Sequence, residues 1–221
     1  MSYIQVKNVG KLYGEGDAAV TAVADMSFEI EAGEFIAVMG QSGSGKSTLL
    51  SILGALNTPT SGRLVVDDVD VYAMDQEKRA DFRRESIGFI FQNFNLIPYL
   101  TLAENVMLPM APLRTAKRQK KALAEEALRR VGLAEKAGRL PSQISGGEQE
   151  RVAIARAIVN KPPILLADEP TGNLDSRTGK EIMELIKDLN RESVTVVMVT
   201  HTAEYAKYAH RTLQVADGFL A

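Results

Sequence analysis

No cysteine occurs among the 221 residues, so disulfide bonds and thiol chemistry are excluded, and a reducing compartment is allowed without being required. The chain lacks a surplus of either charge: 26 Lys and Arg stand against 28 Asp and Glu, a formal net charge of -2 that gives no reason to expect a nucleic-acid partner. It has no uncharged apolar run long enough to span a bilayer. The segment Met1-Ser2-Tyr3-Ile4-Gln5-Val6 lacks the basic and then apolar regions of a signal peptide. The expectation is a cytoplasmic protein that reaches any membrane through a partner. Internal repeats and low-complexity stretches are absent too. What remains is 45% hydrophobic and 24% charged residues, ordinary for a globular chain with enough length for one large domain, or one core with an inserted subdomain.

The apolar pattern divides the chain into three parts. At the front, Ile4–Lys7 and Met26–Ile30 alternate as strands do, and Gly33 marks a turn before the continuously apolar run Phe35–Met39. Such a run predicts a strand buried on both faces in a parallel sheet. Arg63–Val66 reads as another strand of an antiparallel part. From about Phe94 to Asn160 the pattern turns helical: Ala124, Ala127, Leu128 and Val131 fall at helical spacing before Gly132, and a helix runs through Val152, Ile154, Ala155 and Ile158. The last third returns to alternation, with strands at Ile164–Ala167 and Val194–Val199 around a helical stripe of Ile182, Leu185, Ile186 and Leu189. The expected fold is α/β: a parallel core, an antiparallel flap and a helical insertion.

Gly40-Gln41-Ser42-Gly43-Ser44-Gly45-Lys46-Ser47-Thr48 matches the phosphate-loop pattern in full. Its glycines let the backbone wrap phosphates, Lys46 reaches the β- and γ-phosphates, and the Ser47 hydroxyl can ligate Mg²⁺. A flexible linker of the same composition would not sit between a buried strand and a helix carrying Leu49, Leu50 and Leu53. Asp168-Glu169 ends the apolar strand at Ile164–Ala167, the edge where ligands bind in parallel sheets. Alone the pair could be solvated acids or a cap; beside a phosphate loop, Asp168 would hold Mg²⁺ through its water shell and Glu169 would polarise the attacking water. His201 follows the next buried strand and could contact the γ-phosphate, whereas His210 reads as structural. Gln92, after Ile87–Phe91, could bind Mg²⁺ or the attacking water, with little specificity of its own. Tyr13 could stack on adenine or merely cover the sheet edge, and the residues by themselves favour the cover. The basic run Lys117-Arg118-Gln119-Lys120-Lys121 reads as the solvated face of a helix, offset by Glu125 and Glu126.

One further turn, Ile144-Ser145-Gly146-Gly147-Glu148, opens a helix and offers a second set of backbone N–H groups to an anion. A chain that already has one phosphate cradle needs the second for a phosphate the first does not fully enclose, which points to two copies closing over shared nucleotides.

From Tyr13 to His201 these motifs, in this order, resemble the nucleotide-binding subunit of ATP-binding cassette (ABC) transporters. The resemblance implies a P-loop NTPase (RecA-like) core with an antiparallel β subdomain and an inserted α-helical subdomain, in a single nucleotide-binding domain over 1–221. Residues 1–92 and 161–221 would form the core with the β subdomain, and 93–160 the helical subdomain. It further implies that Tyr13 stacks on adenine, Gly40–Thr48 is the Walker A loop, Gln92 the Q-loop residue, and Ile144–Glu148 the signature motif. Asp168 and Glu169 would form Walker B, Leu174-Asp175 the D-loop, and His201 the switch histidine. The common signature is Leu-Ser-Gly-Gly-Gln; here Ile144 replaces Leu and Glu148 replaces Gln, which adds a negative charge close to a bound phosphate. Phe94–Pro98, Leu102–Val106, Pro141–Gln143 and Asp168–Asp175 resemble more closely the macrolide-exporter and lipoprotein-releasing subgroup, with the cell-division ATPases similar. The implied activity is ATP hydrolysis with Mg²⁺, by a homodimer formed on ATP binding. That dimer would lie on the cytoplasmic face of the inner membrane and drive an integral membrane permease for efflux or lipoprotein release. A soluble ABC ATPase of DNA or ribosomes would carry a long coiled-coil insertion or two cassettes, and this chain has neither. A non-catalytic ATP-binding regulator would not need both Glu169 and His201.

Overall fold

Buried strands with both faces covered set the centre of the molecule, which the computed structural model describes for residues 2–221, apart from the side chain of Asp17. In chain order the strands are β1 (Ile4–Tyr13), β2 (Val20–Ile30), β3 (Phe35–Met39), β4 (Ser61–Val66), β5 (Val69–Asp70), β6 (Ile87–Ile90), β7 (Ile164–Asp168), β8 (Thr195–Val199), β9 (Arg211–Ala216) and β10 (Phe219–Leu220). The helices are α1 (Lys46–Leu53), α2 (Gln76–Ser86), α3 (Leu102–Met107), α4 (Lys117–Arg130), α5 (Gly146–Ile158), α6 (Ser176–Arg191) and α7 (Ala203–Ala206). One sheet has six strands in the order β10-β9-β3-β8-β7-β6, parallel throughout except for the β10 edge. The other has four antiparallel strands in the order β2-β1-β4-β5.

Alternation along each central strand divides its side chains between two cores. Phe35 and Ala37, Leu165 and Ala167, and Val196 and Met198 pack on one side, with the helices between β6 and β7 and with α6. Ile36 and Val38, Ile164 and Leu166, and Val197 and Val199 pack on the other, against α1 and the antiparallel sheet. Apart from the two alanines, each such side chain contributes about 1.5–3 kcal/mol on burial. This two-sided burial is why the strands read as unbroken apolar runs. The architecture is the expected α/β P-loop core with an antiparallel sheet and a helical unit.

Two features depart from the sequence reading. Strand β1, expected over Ile4–Lys7, runs on to Tyr13. Its register shifts at bulges around Asn8, a residue with φ 52, and the bulges break the alternation that marks a strand. Helix α2 was not foreseen, because it buries no residue; Asp75 caps it by accepting from Lys78 N–H. Helix α4 stops where expected, with Gly132 at φ 76 just beyond it. Its basic N-terminal run is exposed, with Lys121 paired to Glu125 at 3.7 Å, a contact that contributes little at the surface. Among the described residues no helix is long and apolar enough to cross a membrane.

Candidate functional site

The loop between β3 and α1 is shaped by its glycines and filled by its lysine. Gly45 stands at φ 97, and a Cβ there would lie 1.9 Å from the Ala22 carbonyl oxygen, so only glycine lets the loop lie against β2. Lys46 is buried, and its Nζ donates to the carbonyls of Gly40 (2.9 Å) and Gln41 (2.6 Å) and to Ser44 Oγ (3.4 Å). Helix α1 starts at this loop with no side chain capping its first N–H groups, the arrangement an anion completes.

The carboxyl ends of β6, β7 and β8 bring four more expected residues to the same sheet edge. Ser47 Oγ donates to Asp168 Oδ1 at 3.0 Å. Burial raises the Asp168 pKa, partly offset by that hydrogen bond. Glu169 takes a left-handed turn at φ 48, and its N–H donates to the Val199 carbonyl at 3.0 Å. Its Oε2 accepts from Gln92 Nε2 at 3.2 Å and lies 3.3 Å from His201 Nδ1. Gln92 and His201, on opposite sides of β7, therefore converge on one carboxylate oxygen. His210 is placed differently: its Nδ1 accepts the Phe35 N–H at 3.0 Å, a structural role as expected.

Tyr13 pairs with Val20 on β2, about 7 Å of strand from the Ala22 carbonyl that abuts Gly45. The residue is 42% exposed. Lys11 Nζ sits 5.0 Å from the ring centroid, and Asn57 Nδ2 donates to the hydroxyl.

Ser145, Gly146, Gly147, Glu148 and Asp175 form a separate patch, with no hydrogen bond or ion pair to Gly40–Thr48 among the described residues. Ser145 caps α5 in a reciprocal box: its hydroxyl accepts from Glu148 N–H, and Glu148 accepts from Ser145 N–H at 3.0 Å. The Glu148 charge that looked adverse in the sequence is neutralised locally by an ion pair with Lys136, twelve residues upstream. That contact leads the causes that lower the Glu148 pKa, followed by the Ser145 N–H. An acid in the first turn also suits the helix dipole. Asp175 caps α6, accepting from the Arg177 and Thr178 N–H groups and from Thr178 Oγ1 at 2.6 Å. Thr178 in turn packs on Gly147, where a Cβ would lie 2.3 Å from Thr178 Cγ2. The two caps are thus locked together.

Lys136 and Thr178 carry no mark in the sequence, nor do Asn173, whose Nδ2 donates to the Gln92 carbonyl at 3.0 Å, and Arg156, whose guanidinium donates to the Phe94 and Asn95 carbonyls. The spacing Ser145-x-x-Glu148 was a readable capping signal, but nothing local announces Lys136 or Arg156.

A family model described as ABC transporter matches residues 23–172. An uncharacterized ABC transporter ATP-binding protein of Methanocaldococcus jannaschii is 47% identical over 215 residues, covering 97% of this chain and 96% of that protein. The macrolide export ATP-binding/permease protein MacB of Neisseria meningitidis serogroup B is 44% identical over 218 residues, 99% of this chain but 34% of that one. Among solved structures, a dimeric post-hydrolysis state of an ATP-binding cassette of Methanocaldococcus jannaschii bound to ADP and Pi superposes with a TM-score of 0.90, at 43% identity over 98% of this chain and 96% of that one. The chain belongs to the ABC transporter family, as one of its ATP-hydrolysing nucleotide-binding subunits.

Proposed function

We propose that two copies of this chain close over two ATP molecules, each held by the Gly40–Thr48 loop of one copy and covered by Ser145–Gly147 of the other. Residues 1–92 and 161–221 act as the core with its β subdomain, and 93–160 as the helical subdomain. The observation that carries the reading is the convergence of Gln92 and His201 on Glu169 Oε2 beside the Ser47–Asp168 contact, while the second anion cradle stands apart.

Glu169 is the general base: its carboxylate, held between an amide and an imidazole, takes the proton of the attacking water. Lys46 leaves the loop carbonyls for the β- and γ-phosphate oxygens, His201 orients the water and the γ-phosphate, and Tyr13 stacks on adenine. Asp175 steadies the interface by capping α6. A metal fits the hydroxyl–carboxylate pair Ser47 and Asp168 with the amide oxygen of Gln92, all hard oxygen donors. Among the described residues no group of three acidic, histidine or cysteine side chains could enclose a metal, as suits Mg²⁺, which keeps waters and takes substrate phosphate oxygens. When bound, Mg²⁺ supplies charge stabilisation to the departing phosphate. A twofold axis makes the two sites identical.

The likeness to a macrolide exporter supports an efflux-type system of that subgroup. The chain would act from the cytoplasmic face of the membrane on an integral permease. The test is Glu169→Gln with saturating ATP on size-exclusion chromatography. A long-lived dimer and loss of turnover are expected, and a monomer under those conditions refutes the two-copy site.

A further inference from the structure

The Tyr13 side chain, at the end of β1, is engaged at its face and at its tip. Lys11, two residues back on the same strand, holds its ammonium 5.0 Å from the ring centroid. That ammonium is itself tethered, because Lys11 Nζ donates to the Thr58 carbonyl at 2.8 Å. A cation over an aromatic face is attracted by the ring quadrupole. It also closes that face to a purine and leaves the other, on an exposed residue, as the platform. At the tip Asn57 Nδ2 donates to the Tyr13 hydroxyl.

Asn57 and Thr58 belong to the turn that follows α1, and that turn is braced. The Leu56 and Asn57 N–H groups both donate to the Ser51 carbonyl, at 2.9 and 3.2 Å, and Ala55 stands at φ 53. Tyr72 Oη lies 2.7 Å from the carbonyls of both Ile52 and Asn57. Two more bonds tie the turn to β1: the Thr60 N–H donates to the Gly10 carbonyl at 2.8 Å, and the Leu12 N–H to Thr60 Oγ1 at 3.1 Å. Helix α1 begins with Lys46 in the phosphate loop and covers about 11 Å before the turn. The phosphate loop and the group that holds the Tyr13 hydroxyl are therefore opposite ends of one rigid element. We propose that Lys11 and Asn57 are positioning residues that preset the Tyr13 ring for the adenine base, at a distance from the phosphate loop fixed by α1. The inference rests on the reading of Tyr13 as the base platform. A preset ring spares the nucleotide the cost of immobilising a loose side chain, so the effect falls on affinity.

The test measures hydrolysis against ATP concentration, with inorganic tripolyphosphate as a competitor that fills the phosphate loop and has no base. Tyr13→Ala should raise the KM for ATP about tenfold. Lys11→Met and Asn57→Ala should each raise it about two- to fivefold with kcat retained. Lys11→Arg, which keeps a cation over the ring, should restore the wild-type value. Inhibition by tripolyphosphate should be the same throughout. Tyr13→Phe removes only the oxygen that Asn57 holds, so it should match Asn57→Ala, and the double variant should add nothing. Lys11→Met and Asn57→Ala proteins that are folded by thermal unfolding and keep the wild-type KM overturn the proposal. So does a loss of tripolyphosphate inhibition that matches the loss of ATP affinity. Should Asn57→Ala fail to fold, Tyr13→Phe decides, and a wild-type KM there overturns the role of Asn57. If Tyr13→Ala itself leaves the KM unchanged, the base-platform reading has failed and takes the proposal with it.

Discussion

Gly147→Ala is the substitution whose effect the packing fixes most sharply, because its neighbour Gly146 is an internal control. Both glycines lie in the first turn of α5. Alanine is favoured over glycine in a helix by up to about 1 kcal/mol, so sequence alone forecasts a gain at each position. The surroundings differ. A Cβ on Gly146 would meet only Leu174 Cδ2, at 3.9 Å, an ordinary contact. A Cβ on Gly147 would lie 2.3 Å from Thr178 Cγ2, a distance no pair of carbons tolerates. Nor can the methyl swing away freely, because turning it also turns Thr178 Oγ1, which donates to Asp175 Oδ2 at 2.6 Å.

Overpacking of this kind costs about 1–3 kcal/mol, and a broken hydrogen bond adds about 1 kcal/mol. After the helix gain, Gly147→Ala should destabilise by about 2 kcal/mol, while Gly146→Ala should be neutral or slightly stabilising. For a chain of this size that is a fall in Tm of roughly 4–8 °C, read by thermal unfolding without nucleotide. The mechanism also forecasts its own rescue. Thr178→Ser removes Cγ2 and keeps the hydroxyl on Asp175, and the nearest remaining Thr178 carbon, Cβ, is 3.7 Å away. Added to Gly147→Ala, it should recover most of the loss, a coupling of at least about 1 kcal/mol. A Gly147→Ala protein that melts at or above the wild type, or a double variant no better than the single, would show that the clash is not what glycine avoids here.

Those contacts were beyond the reach of a sequence reading, and the reason is distance along the chain. Phe35–Met39 and Ile164–Ala167 announced buried strands because a strand covered on both faces leaves a local, contiguous record. The phosphate loop was readable for a similar reason, since Gly40–Thr48 is consecutive and its flanking strand and helix are equally plain. The second cradle could be found by its turn, but its electrostatics could not. Glu148 looked like an unbalanced charge because Lys136, which neutralises it, is separated from it by two turns whose geometry decides the contact. Arg156 sits among Val152, Ile154, Ala155 and Ile158, where the stripe reads simply as core, although its guanidinium supports a loop some sixty residues earlier. Helix α2 shows the converse: with no buried residue it carries no apolar period to detect.

The remaining forecasts turn on charge. Because Lys136 and Glu148 offset each other beside the phosphate cradle, Glu148→Gln, which frees the lysine charge, should lower the KM for ATP or leave it unchanged, whereas Lys136→Met should raise it several-fold by freeing a negative charge there. Equal effects of the two in a hydrolysis titration would refute the pairing. Glu150 supplies a pH dependence. Its folded pKa, about 8, stands above the ordinary 4.5 because burial penalises the carboxylate. Below about pH 4.5 the group is protonated whether the chain is folded or not, and its contribution to stability is complete. Between there and about pH 8 the unfolded chain releases the proton and the folded one does not, so stability drains away as pH rises, and above that the loss levels off. Glu150→Gln has no proton to release and should escape the slope. Its Tm relative to the wild type should therefore climb steadily from pH 5 to pH 8 and then hold, and a difference constant across that range would mean that the buried carboxyl is not protonated in the fold.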